Sequence, residues 1–132
     1  MANVNALSFS VAADQSGLAD YKASDFMWGK AAAVAPTASP VAITTHHVMS
    51  NLLIYIENGD GYTEDEFAAA DISVKISNVK CNASIDLSTG MATATGTTSN
   101  VIPYKEADHY RALLVPQTIN VSAAFVIITV NG

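Results

Sequence analysis

Apolar side chains recur at every second position through most of this chain. Leu7, Phe9 and Val11 alternate with Ser8, Ser10 and Ala12; Ile72, Val74 and Ile76 with Ser73, Lys75 and Ser77; Cys81, Ala83, Ile85 and Leu87 with Asn82, Ser84 and Asp86. Successive side chains of a strand point to opposite faces, so each run describes a strand with one dry and one wet face. Val41 and Ile43 start a further run that continues through Leu52, Ile54 and Ile56, too long for one regular strand, so a bulge or kink is expected around His47 to Ser50. Met91 to Thr97 reads as a small Thr-rich strand, and Tyr110, Ala112 and Leu114 oppose Arg111, Leu113 and Val115 in a strand ended by Pro116. Ala123 to Val130 is apolar on both faces except at Thr129; such a strand lies centrally, or its open edge awaits a partner. About seven strands at short intervals predict an all-β fold, a two-sheet β-sandwich in preference to a barrel, with residues 1–132 forming one domain.

The punctuation agrees. Asn58-Gly59-Asp60-Gly61 is a turn, and Asp86-Leu87-Ser88-Thr89-Gly90 supplies a hairpin. Thr63-Glu64-Asp65-Glu66 has capping-box spacing, which predicts one short helix near 64–70. Ala13 to Pro40 reads as loop with a short ordered segment at Asp25 to Trp28, because Pro36 and Pro40 close the Ala31 to Ala35 run too soon for an isolated helix.

Composition removes several functions. With 132 residues the chain can take roughly two thirds of its surface out of water, enough for a core of its own. Only 14% of residues are charged and the net charge is -6; six scattered basic residues cannot neutralise a phosphate track, so nucleic acid is excluded as a partner. No apolar run reaches the ~18 residues of a membrane span, and the first residues carry no basic or apolar leader segment. The preferred reading is a mature exported domain. Cys81 is the one cysteine, so an intrachain disulfide is impossible.

No constellation of catalytic or metal-binding residues emerges. His46 and His47 are neighbours on a predicted strand and point to opposite faces, and His109 is distant in sequence, so no zinc site is expected. A calcium loop with its glycine at Gly61 would put Ile56 and Phe67 at ligand positions, and neither offers a side-chain oxygen. Cys81 falls on an apolar face, where burial silences a thiol. No Gly-x-Ser-x-Gly elbow is present. Asp65 and Glu66 suit a helix N-terminus better than an acid–base pair. Asn82-Ala83-Ser84 and Asn120-Val121-Ser122 match the glycosylation pattern. Tyr21, Trp28, Tyr62 and Tyr104 are placed in loops, where they either stack on a sugar or plug the ends of a sandwich core. No enzyme, cofactor or metal is expected.

Five segments in order carry a resemblance: Asp25-Phe26-Met27-Trp28; His47 to Leu52 leading to Gly59 to Glu66; Ser84 to Gly90; Val101-Ile102-Pro103-Tyr104; and Leu113 to Thr118. Together, over roughly Asp25 to Gly132, they resemble the fimbrillin-like surface proteins of Bacteroides and its relatives. The resemblance implies an exported lipoprotein of the outer membrane with two β-sandwich domains of transthyretin-like, Greek-key topology, of which this chain is expected to be the N-terminal one. It implies a structural or adhesive subunit of a fimbria or pilus, assembling by β-strand donation, with other pilin subunits or host surface receptors as partners. The candidate displaced strand is Leu7, Phe9 and Val11. The family's lipobox cysteine has no counterpart here, and the single arginine, Arg111, lies inside a predicted strand, unsuited to an arginine-specific maturation cut. The alternative is a carbohydrate-binding surface module using Trp28 and Tyr62.

Overall fold

The computed structural model describes residues 3–131. Among them run β1 (Leu7–Ser10), α1 (Leu18–Ala23), β2 (Met27–Gly29), β3 (Thr45–His47), β4 (Ser50–Ile54), α2 (Glu64–Ala69), β5 (Ile72–Asp86), β6 (Met91–Val101), β7 (Tyr104–Lys105), β8 (Tyr110–Leu114) and β9 (Val126–Val130). One sheet is built on β5, with β6 along one side and β1 and β9 sharing the other; a second has the order β4-β8-β7; β2 and β3 form a separate ribbon. The connections β4–β5, β6–β7 and β8–β9 pass from sheet to sheet, as they do in Greek-key sandwiches. The all-β sandwich expected from the alternation is what forms.

The two runs Ile72–Ile76 and Cys81–Leu87 are one strand. Between Ile76 and Val79 the register against β6 shifts, and Asn78 adopts a left-handed φ of 60°. The extra residue moves the dry positions from even numbers (Val74, Ile76) to odd ones (Val79, Ala83, Ile85), all buried. A second irregularity, between Lys80 and Asn82, is absorbed by β6, where Gly96 has φ 76°. The expected break after His47 is also present: β3 pairs with β2, the chain turns at Val48-Met49, and β4 joins β8 in the other sheet.

Two core clusters result. Ile76, Val79 and Val101 pack with Ala112 and Leu114, while Ala83 and Ile85 belong with Val11, Tyr21, Met49, Leu113 and Val115. β8 is therefore buried on both faces. Its second face lies under α1, a helix the alternation gave no sign of, and Tyr21 of α1 is 8% exposed. Gly17 at its N-cap makes no side-chain cap bond. The second helix is the expected one: the Thr63 hydroxyl accepts from the Glu66 amide at 3.2 Å and the Glu66 carboxylate accepts from the Thr63 amide at 2.9 Å.

Other expectations need correction, among them the run begun at Val41 and Ile43, where the strand starts only at Thr45. β9 is shorter than Ala123–Val130, and of the two placements expected for it takes the sheet edge; Ile128 and Val130 are 45% and 42% exposed, because β5 is its sole pairing partner among the described residues. β6 extends past Thr97 to Val101 because the long β5 offers it a ladder. Finally, only Tyr62 of the four aromatics is in a loop; Tyr21 is helical, and Trp28 and Tyr104 are in strands.

Two glutamines complete the ladders where strands run out. Gln15 is fully buried; its Nε2 donates to Leu113 O at 2.8 Å and its Oε1 accepts from Leu113 N at 2.9 Å. Gln117 does the same for Lys80, its Nε2 donating to Lys80 O at 3.0 Å and its Oε1 accepting from Lys80 N at 2.8 Å, in the stretch of β5 between β1 and β9. A buried backbone group left unpaired costs about 1–3 kcal/mol. Gln15→Leu, which keeps the volume and removes both bonds together with a third from Nε2 to Ala12 O at 3.0 Å, is expected to lower unfolding free energy by about 3 kcal/mol in a urea titration. A loss below about 0.5 kcal/mol would show that the Leu113 ladder does not depend on this amide.

Candidate functional site

β1 takes its position from alternation and from one edge of β5. Leu7 pairs with Ile85 and Phe9 with Ala83, so the dry faces of the two strands coincide. Leu7 and Phe9 are half-buried against the core cluster, Val11 just beyond the strand is 3% exposed, and the Phe9 and Phe26 rings meet edge to face at 5.0 Å. The chain is then fastened, the Val11 amide donating to Cys81 O and the Ala12 amide to the Ser24 hydroxyl, both at 2.9 Å. The three residues singled out from the sequence thus form one continuous apolar row on the body of the sandwich.

Trp28 and Tyr62 are not brought together. The Trp28 indole donates to Leu87 O at 2.9 Å and stands edge to face with His46 at 5.4 Å. Its ring covers the Asp86–Met91 turn, where Gly90 has φ 77° and a Cβ would fall 2.6 Å from the indole. The turn itself is held by Asp86, whose carboxylate accepts from the Ser88 hydroxyl at 2.6 Å and amide at 2.8 Å, bonds that keep its pKa below the ordinary value. Tyr62, 52% exposed, borders a small cleft of about 120 Å³ with Ile56, Phe67 and Val130.

His46 and His47 do point apart, His46 toward Trp28 and His47 toward Asp25, whose carboxylate lies 2.8 Å from its Nδ1. His109 stacks on Tyr55 at 4.9 Å and bonds Asp108, holding that exposed carboxyl below its usual pKa. Among the described residues no three His, Cys, Asp or Glu side chains gather as a metal site would require. Cys81 is half-buried between the two core clusters, and desolvation pushes its thiol pKa up, away from the reactive thiolate.

Alternation gave no hint of two further groupings. Arg111 is held between Tyr21, with its guanidinium carbon 4.6 Å from the ring centre, and Tyr104 at 5.6 Å, and it pairs with Glu106 at 2.6 Å. This stack ties α1 and β7 to β8. Beside it, α1, β3, β4 and β8 enclose a cleft of about 390 Å³ whose border includes Asp25, His47 and Asn51. Asp25 lies 22 residues before His47 and 26 before Asn51, and the pairing of β2 with β3 brings them to one side of α1.

Trp28 is the single tryptophan, so its emission reports on the turn it covers. Gly90→Ala adds a Cβ against the ring at a left-handed φ, and is expected to lower stability by about 2–4 kcal/mol and shift the emission to the red. Unchanged stability and emission would mean that the indole is not seated on Gly90.

Comparison with known proteins agrees with this architecture. A crystal structure from Bacteroides uniformis ATCC 8492, described as a candidate cell adhesion protein, superposes with a TM-score of 0.72 at 24% identity, over 98% of this chain and 49% of that one. The chain thus spans about half the length of that protein. No curated protein matches it. A family model described as fimbrillin-like matches residues 1–132, and the chain belongs to the fimbrillin-like family.

Proposed function

We propose that this chain is a structural and adhesive domain of a bacterial cell-surface fimbria, and that subunits join by strand donation at the seat held here by β1. Family membership carries the first half of this reading. The second half is supported by the way β1 is attached. Four paired residues and the row Leu7, Phe9, Val11 join it to β5, and no other strand pairs with it among the described residues. A segment of the same alternation could make the same main-chain bonds and fill the same apolar positions.

The magnitude suits exchange. Burying three apolar side chains, two of them partly, contributes roughly 4 kcal/mol. That holds β1 in place in a free subunit, yet a longer donated strand with more apolar contacts outcompetes it. An outer-membrane lipid anchor, a second sandwich domain, and other pilin subunits or host receptors as partners complete the reading. The Bacteroides uniformis protein, of which this chain covers 49%, supports the second domain. No helix among the described residues is long and apolar enough to cross a membrane. Catalysis has no part in the proposal, a reading supported by membership of the fimbrillin-like family.

The test is to remove residues 1–12 and add back a peptide of residues 3–13. The shortened chain is expected to remain folded with a Tm lower by about 10–20 °C, and to recover most of that on saturation with the peptide. If the shortened chain is folded and the peptide raises its Tm no more than a scrambled control does, the β1 seat is not an exchangeable strand site.

A further inference from the structure

We infer that the cleft between α1 and β4 is a binding site for one neutral monosaccharide residue, such as the end of a glycan chain. This gives the adhesive part of the proposed function a location, and it does not require strand exchange. The saccharide alternative that rested on Trp28 and Tyr62 has better furniture here. Trp28 has already committed its N–H to Leu87 O, and the cleft beside Tyr62 measures about 120 Å³. At about 390 Å³, the α1–β4 cleft falls within the ~300–1,000 Å³ range of small-ligand pockets.

Its floor is apolar and fixed. Met49 and Leu113 are each 6% exposed and belong to the packed core, so they present a rigid surface to the C–H face of a sugar ring. Its border is polar with bonding capacity to spare. Asp25 uses Oδ1 on His47 Nδ1, at 2.8 Å, which leaves Oδ2 and His47 Nε2. Asn51 accepts from the Tyr21 hydroxyl through Oδ1 at 3.4 Å, a stretched bond, and its Nδ2 has no partner among the described residues. Lys22 likewise forms no ion pair among them. A carboxylate, an amide and an ammonium facing one small space can both accept from and donate to neighbouring hydroxyls.

The charges select the class of sugar. Lys22 and Asp25 both line the cleft, three residues apart at the end of α1, so their opposite charges offset each other and neither a carboxylated sugar nor an amino sugar finds net attraction. The chain's net charge of -6 further disfavours acidic glycans. The sequence could not announce the site, because α1 supplies Tyr21 and Lys22 while β3 and β4 supply His47 and Asn51.

The experiment titrates the isotopically labelled full chain with the methyl glycosides of galactose, mannose, fucose and N-acetylglucosamine, with N-acetylneuraminic acid for comparison, following amide shifts by NMR. At least one neutral glycoside is expected to give saturable shifts centred on residues 21–25 and 47–51. Asp25→Asn and Asn51→Ala should each weaken it about tenfold, with spectra otherwise preserved, while Tyr62→Ala leaves it unchanged. If Asn51→Ala disturbs the fold, Asn51→Asp serves in its place. The inference is overturned if no neutral glycoside shifts these residues saturably, if the two variants bind as well as the parent, or if the acidic sugar binds equally tightly. The β1 add-back is independent: it can succeed where this fails, and the reverse.

Discussion

β5 is the constraint to which everything else is fitted. One strand of 15 residues is about twice as long as the sandwich needs from any single member. Its length lets it receive β6 along one side and both β1 and β9 along the other. A flat strand of that length would carry its apolar row out of the core. The bulge at Asn78 prevents this by twisting the strand and resetting which positions face inward. The same bulge positions Ser77 and Asn78 to bind Phe125 O and Ala124 O, at 2.7 and 2.8 Å, and so aims the chain into β9. Gln117 then fills the interval between β9 and β1. Without the bulge, β9 and the second core cluster would lose their alignment together.

This bulge also shows how much of the fold could be read from the chain. The dry positions of β5 are plain in the sequence as an even-numbered run followed by an odd-numbered one. A change of parity is equally the mark of two strands with a turn between and of one strand with an extra residue. Asn78, a residue that tolerates positive φ, sits at the change, yet nothing local says that the strand resumes in the same direction. The capping box of α2 was fully legible because both of its bonds lie within four residues. So was the Asp86–Gly90 hairpin.

Contacts across long separations were not legible. α1 is six residues long, is capped by glycine, and owes its place to Tyr21 packing on Leu113 and Arg111. A helix that short has almost no stability of its own. Gln15 reads as an ordinary polar loop residue until Leu113, 98 positions later, is seen to need its amide. The cleft suffered the same fate. Its side chains are individually commonplace, and the resemblance to a surface-protein family pointed to a kind of assembly without pointing to them.

The distribution of charge bears on the assembly proposed here. Among the strands, Asp, Glu, Lys and Arg occur only in β5, β7 and β8. The edge strands β1, β4, β6 and β9 have none. Charged edge residues are a common defence against pairing with another chain, and here that defence is left to β7, through Lys105. Other devices limit the open edges: β1 has four residues, β4 and β9 have five each, and the 11-residue β6 is interrupted at Gly96. Short edges restrict accidental partners to a few hydrogen bonds, too few to hold without matching side chains. Selectivity at such an edge then comes from the apolar row beneath it: β6 brings only Ala92 and Ala94 to the main core cluster, whereas β1 brings Leu7 and Phe9, with Val11 just beyond the strand. Where β1 is displaced, as proposed, the row it vacates favours a replacement strand of the same alternation and gives little to any other.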